Sequence, residues 1–596
     1  MKPQANPSIP WQLTGNHWLT LPCIHPADGS LHAIGMLHRA ARGAIEFAGG
    51  PDFVNGGSAP LAKPTIRVDG VARELAAEGM AWERMSGWLP TFNCVAGELA
   101  VRGTIFAPYG RDADVAGAVY SLSLHNRSKS PVVVTLGFEG TLGHRQQRVR
   151  SARTFDDAHR VTVGERGVVI LDGAAIPAHA ALAVGADGEC AVQVTDGDSP
   201  RWSLTREITL GPGERLEEAF YIGAGPERDG AEATVAVMRR RGWRELLRIT
   251  TDTLRSFEQS IGNDALDRLI NSNLLLAYFY GVGRALDDAH FYLVRTRVPW
   301  NSHGLTVNDW EALTWTIPAV QLADSELARE LILRMCELHG YAPGTGVHYL
   351  DGTLFQAGFS LEGAAAYAIA VERYISQTGD DLIVEEPAVA DALYQSHEDI
   401  EARRDKRWPL YSSEVTPGGD PVTQPFGAHA NAVVAQAMDM FKRTLDEKTA
   451  EKVEDAEAIR AALRRKFATS DDAGTAVLRA AIDLEGASSS ADDPVASLYW
   501  LPFYDGIRRE DSVYRRTVRP FDALKPAELA VHCARLVGPS AGDTLKWLRR
   551  APLDNGFAAE LLDADGAAAA NGGDATLAGL LAYTVWYAVH VLGVRP

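Results

Sequence analysis

The sequence predicts an antiparallel β-sandwich over residues 1–225, a helical linker over 226–262 and a helical-hairpin toroid over 263–596. Three observations predict this. Short β-branched segments with Gly, Pro, Asn and Asp punctuation fill the first part. Near residue 231 the apolar period changes from two to three or four. Beyond it, helical segments alternate with short and long connections, where a simple bundle would have uniformly short loops.

The elements follow in order. "PVVVTLGFEG" (131–140), "GVVILDG" (167–173) and "CAVQVTD" (190–196) read as strands, and "LGPGERLEEAFYIGAG" (210–225) places a Gly-Pro-Gly turn before another. The basic stretch "GHRQQRVRSAR" (143–153) reads as a solvated strand edge. Residues 231–261 read as a linker helix, and helices follow at 265–282, 325–340, 360–379, 385–405, 428–445, 450–468, 525–538 and 574–593. Asp574 stands where it would cap the last of them.

Composition narrows the function. The chain has 596 residues, 46% hydrophobic and 23% charged, with 58 Lys and Arg against 77 Asp and Glu, a net charge of −19. This is an ordinary globular composition without the basic excess of a nucleic-acid binder. No apolar run approaches the roughly 20 residues that span a bilayer. The N-terminus shows no signal-like apolar region, so a cytoplasmic location is expected, or a periplasmic one had a leader been removed. A homo-oligomer is compatible with the composition. The five cysteines, Cys23, Cys94, Cys190, Cys336 and Cys533, lie far apart in the sequence and read as reduced. His290, His303, His348 and His429 lie on separate segments without ligand spacing, so neither metal nor other cofactor is expected. Nucleotide-binding, zincin and nucleophile-elbow motifs are absent.

The long connections hold the chemistry. "FYLVRTRVPWNSHGLTVNDWEALTW" (291–315) carries Arg295, Arg297, Trp300, Asp309, Trp310 and Glu311. "YAPGTGVHYLDGTLFQAGFSLEG" (341–363) carries Tyr349 and Glu362, and "LYSSEVTPGGDP" (410–421) carries Tyr411, Glu414 and Asp420 between two helical segments. "NGFAAELLDADGAAAANGGD" (555–574) carries Glu560, and "SLYWLPFYDG" (497–506) carries Trp500. Aromatic faces stack on sugar C–H faces, carboxylates and arginines bind hydroxyls, and two carboxyl groups suffice to cleave a glycosidic bond. A carbohydrate is the expected partner.

The layout resembles the glucoamylase-like, six-hairpin glycoside hydrolases, which join an N-terminal β-sandwich of the supersandwich kind to an (α/α)6 barrel. "YSSEVTPGGDP" is similar to the loop that carries the general acid in that family, which implies this role for Glu414. "AAELLDADGAAAANGGDATLAGLLAY" (558–583) is similar to the loop before the last barrel helix and implies that Glu560 is the general base. "NDWEALTW" resembles the segment that grips the sugar, implying substrate binding by Asp309, although Asn308 stands where the family has Arg; Arg295 or Arg297 would substitute. Trp310, Glu311, Arg297, Trp300, Tyr349, Glu362, Tyr411 and Trp500 complete the implied substrate-binding set. The resemblance implies an inverting hydrolase of a glucoside or small oligosaccharide, its carboxyl groups roughly 6.5–9.5 Å apart. The alternatives are a phosphorylase on the same scaffold, a polysaccharide lyase or sugar epimerase, a non-catalytic carbohydrate-binding protein, and a hydrolase using Asp309 or Glu311 as acid.

Overall fold

In a computed structural model of the chain, residues 9–75, 79–148, 152–154, 160–172, 179–471, 473–490, 493–522 and 526–595 are described. The N-terminal residues 1–8, residues 149–151 of the basic stretch and residue 173 lie outside the described residues. The chain forms two compact units, the first comprising 1–258, 282–292 and 297–305 and the second 259–281, 293–296 and 306–596.

The first unit is built on antiparallel sheets of eight, six and five strands among the described residues. Gly117–Asn126 and Arg215–Gly225 pair at the middle of the eight-stranded sheet, and Val132–Thr141 and Arg201–Leu210 pair in the five-stranded one. Aromatic side chains join these two sheets: Phe138 stacks on Phe220 at 4.6 Å, with Tyr120 and Trp202 at its edges. The last strand before the helices ends at Gly225, and the segment read as one linker helix is two, α1 (Arg228–Arg241) and α2 (Trp243–Ser256). The break falls at Gly242, whose φ of 80° a helix cannot contain.

The basic stretch differs from its reading as a solvated edge. His144–Arg148 is an interior strand of the six-stranded sheet, and Arg145 and Arg148 are buried. Glu46 is the cause. Its carboxylate accepts from Arg148 Nε at 3.1 Å and Gln146 Nε2 at 2.5 Å. Arg148 also donates to the Asn301 carbonyl at 3.0 Å, and Arg145 lies over the Phe47 ring.

The helices of the second unit come in two kinds. In α6 (Ser325–His339), α8 (Pro387–Glu401) and α11 (Ala456–Lys466) the buried residues form a single stripe. In α7 (Leu361–Thr378), α9 (Ala428–Thr444) and α15 (Ala575–His590) every residue is buried over 361–371, 428–435 and 575–585 respectively. From α6 to α11 the two kinds alternate, broken only by the short α10 (Glu447–Ala450), as an outer and an inner layer require. α7 packs on α9, and α15 packs on α13 (Leu529–Val537) and returns to α3 (Asp264–Tyr280), the first helix of the unit. α15 also packs closely on the stretch after α4 (Asp309–Glu311): a Cβ at Gly579 would lie 2.6 Å from the Trp315 carbonyl oxygen. That stretch, Ala312–Thr316, is π-helical and leads into α5 (Ile317–Ala323). Among the described residues no helix is long and apolar enough to cross a membrane, and all five cysteines are free.

The Glu46–Arg148 pair provides a test of the first unit. Arg148→Ala leaves a buried carboxylate unpaired and is expected to cost about 3–5 kcal/mol, read as an earlier first transition in guanidinium unfolding. Replacing both partners, Glu46→Gln with Arg148→Met, should recover most of the loss. Superimposable wild-type and Arg148→Ala curves would refute the burial.

Candidate functional site

Helix starts from separate segments meet in the second unit. Glu362 lies in the first turn of α7, and His429 is the second residue of α9. Both are buried, and His429 Nδ1 lies 3.0 Å from Glu362 Oε1. Ser360 caps α7 by accepting from Gly363 N and donates to Glu362 Oε2 at 3.2 Å. Trp310 of α4 meets the His429 ring edge-on at 5.5 Å, and Tyr504 meets both rings within 5.6 Å. Beneath Tyr504, the Arg373 guanidinium lies against the rings of Phe503, Tyr504 and Tyr583.

A second group of charges adjoins α4. Glu311 is buried and ion-paired with Arg295, whose carbonyl accepts from Thr576 N in the first turn of α15. Asp574 caps that helix by accepting from Leu577 N at 3.0 Å. The charges of Asp574 and Glu560 reach both Arg295 and Glu311. Burial pushes the Glu311 carboxyl above the ordinary glutamate range, and Arg295 opposes this only in part.

The loop 410–427 roofs a cavity of about 380 Å³ whose lining includes Glu362, Ser413, Asp420, Gln424, His429 and Asp493. A larger cavity of about 880 Å³ opens beside α13 and α14 (Ala541–Leu548), but none of the sequence-predicted site residues lines it.

The structure brings Trp310, Glu311 and Glu362 to these clusters and places the other predicted residues differently. Glu414 is 54% exposed and outside the cavity lining. It accepts from Arg403 Nη1 at 2.7 Å and Phe359 N at 3.1 Å, and these two bonds hold its carboxyl below the usual glutamate range. The Glu560 side chain is exposed, while its carbonyl accepts from Leu529 N of α13. Asp309 is buried: one oxygen accepts from Gly344 N at 2.9 Å, and burial pushes the carboxyl up to about 7 against that bond and the adjacent Tyr367 hydroxyl.

Tyr411 is buried and donates to Glu401 at 2.7 Å, which ties the loop to α8. Trp500 packs edge-on against Phe503 at 5.4 Å, and Tyr349 against Phe355 at 5.3 Å. Arg297 and Trp300 belong to the first unit. There Arg297 donates to the carbonyls of Asn16, His17 and Trp18, and Trp300 packs against the small apolar cluster that includes Trp11 and Phe53. The sequence reading missed Tyr504 and Arg373 as site residues and weighed His429 only as a metal ligand. A signal for His429 was its place among small residues, "GAHANAVV", at the start of an apolar helix.

No family model matches the chain, and no curated protein matches it in sequence. Solved structures do match in fold. A candidate kojibiose phosphorylase from the human microbiome superposes with a TM-score of 0.63 at 11% identity, covering 98% of this chain and 88% of that one. A bacterial glucoamylase complexed with acarbose gives 0.62 at 10% identity, covering 98% and 94%. A family GH92 alpha-mannosidase from Bacteroides thetaiotaomicron gives 0.50 at 8% identity, covering 97% and 81%. The chain has the glucoamylase-like fold, an N-terminal β domain followed by a helical domain.

Proposed function

We propose that the chain is a carbohydrate-active enzyme that cleaves glycosidic bonds at one end of a closed (α/α)6 barrel. The observation that carries this reading is the meeting of Glu362, His429 and Trp310 at helix starts from separate segments, with Tyr504 against two of the rings and Glu311 next to Trp310 in α4. Carboxylates beside aromatic faces suit a pyranose ring and its hydroxyls. The return of α15 to α3 supports closure of the barrel. Two similar folds belong to a glucoamylase and a candidate kojibiose phosphorylase, and this chain is read as an inverting hydrolase of a glucoside or small oligosaccharide.

In this reading Glu560 activates water and Glu414 protonates the leaving oxygen. Glu414 must then exchange Arg403 for the substrate, because the present pair holds it ionised. A second reading assigns the proton to Glu311, whose burial favours the protonated form. Water is preferred to phosphate because Arg295, the cation beside Glu560, is committed to Glu311.

Glu560→Gln is expected to lower kcat by about 10²–10⁴ on every substrate. Glu414→Gln should impair substrates with poor leaving groups far more than activated aryl or fluoride glycosides. The same leaving-group dependence in Glu311→Gln, and its absence in Glu414→Gln, would establish the second reading. Full activity in Glu560→Gln would remove that residue from the chemistry.

The nucleophile is tested by chromatography of products from a panel of oligosaccharides. Free sugar of inverted configuration, released equally with and without phosphate, is expected. A sugar 1-phosphate formed only when phosphate is present would identify a phosphorylase.

A further inference from the structure

Asp309, His339 and His348 form a second cluster of chemistry-bearing side chains. His339 is the last residue of α6, and His348 lies on the strand Thr345–Tyr349. That strand pairs with Thr306–Asn308, with Val307 opposite His348, so Asp309 enters α4 two residues past the pairing point. All three side chains are buried. His339 Nδ1 and His348 Nδ1 have no hydrogen-bond partner, and Asp309 Oδ1 has none of regular geometry, with the Tyr367 hydroxyl beside its carboxylate. One potential ligand atom from each residue lies within 4.8 Å of the others. Two enclosed imidazole nitrogens without partners beside a buried carboxylate are costly, and a native interior seldom leaves such groups so.

We propose that Asp309, His339 and His348 bind a divalent transition-metal ion of the zinc class, fastening the hairpin 345–359 to α4 and α6. Two imidazoles and one carboxylate are a borderline donor set, which suits Zn²⁺ better than the all-oxygen shells of Mg²⁺ and Ca²⁺. Gly344 N donates to the other Asp309 oxygen and orients the carboxylate, an arrangement common around metal ligands. Tetrahedral Zn–N bonds of about 2.1 Å place ligand atoms about 3.4 Å apart, inside the 4.8 Å within which these atoms lie. Cys336 is three residues before His339 on the buried stripe of α6, near enough for the Asp309 charge to act on its thiol. Its thiol is not among the ligand atoms that lie within 4.8 Å of one another, so it would have to approach to complete the shell. The proposal is independent of the glycosidase reading, because Glu362, His429, Glu560 and Glu414 take no part.

The test uses the full chain, stripped with a chelator and dialysed, then titrated with Zn²⁺ against a chromophoric competitor. One tight equivalent is expected, with a higher melting temperature. His339→Ala and His348→Ala should each weaken it by more than about 10-fold, the lower figure for losing a mere supporting contact. His429→Ala, which removes the other buried histidine–carboxylate contact, should retain it. Co²⁺ added to the wild type should give the strong visible absorption of four-coordinate cobalt, with a thiolate charge-transfer band if Cys336 completes the shell. That spectrum in the wild type keeps the proposal testable if the histidine variants do not fold. No tight equivalent in the wild type, or one that persists in both cluster variants or disappears in His429→Ala, would overturn the proposal. The three atoms would then be bridged by buried water.

Discussion

A carboxylate buried among apolar helices must have a partner, and the contact between Glu362 and His429 meets that requirement where α7 and α9 begin. It joins residues 67 positions apart. Around it Ser360 both caps α7 and supports the second Glu362 oxygen. Trp310 and Tyr504 close on the imidazole edge-on, so the contact also sets where two aromatic faces stand. Removing one partner would leave the other a buried polar group without this bond, at a cost of about 1–3 kcal/mol.

The same logic recurs at the neighbouring helix starts. Glu311 lies in α4, Glu362 in the first turn of α7, and Asp574 caps α15. A helix start favours negative charge through its free N–H groups and its dipole. A ring of such starts can therefore gather carboxylates that would otherwise repel one another. Arg295 is the cation among Glu311, Asp574 and Glu560. Its backbone is held by α15 through the Thr576 amide, so its position is tied to the helix that Asp574 caps. The result is an uneven field in which Glu311 is pushed toward its protonated form although an arginine touches it.

Local sequence carried much of the fold. The change of period near residue 231 follows the long strand that ends at Gly225, and Asp574 caps the last helix. These features depend on residues a few positions apart. The Gly242 break was obscured because helical periodicity continues on both sides of it. The burial of His144–Arg148 was hidden because its counter-charge, Glu46, is about one hundred residues away. At the site, the loops carrying acids and aromatics were legible, but the partner of each side chain was not. Arg297 looked available until three carbonyls some 280 residues away proved to hold it. Asp309 reads from the sequence as a hydroxyl partner, and the two histidines whose ligand atoms lie within 4.8 Å of its carboxylate come from distant segments that local sequence does not join.

The role of Glu414 depends on Arg403. A sugar covering an exposed carboxylate removes water, which by itself raises the pKa. Here the guanidinium would be covered too, and lower dielectric strengthens the attraction between them. Covering the intact pair therefore does not by itself make Glu414 an acid; the arginine has to move. The structure gives Arg403 a second support, since its guanidinium lies 4.5 Å from the centre of the Phe359 ring while Phe359 N holds the other Glu414 oxygen. A leaving-group oxygen that displaced Arg403 from the carboxylate would leave it against that ring, with the cation–π contact retained. Glu311 is in the opposite position, because Arg295 is held by backbone and charge on several sides. If Glu414 is the acid, its protonation is coupled to substrate arrival. If Glu311 is, the proton is in place before the sugar binds, and the two cases differ in whether the alkaline limb of the pH profile, where the acid loses its proton, belongs to the free enzyme or to its complex.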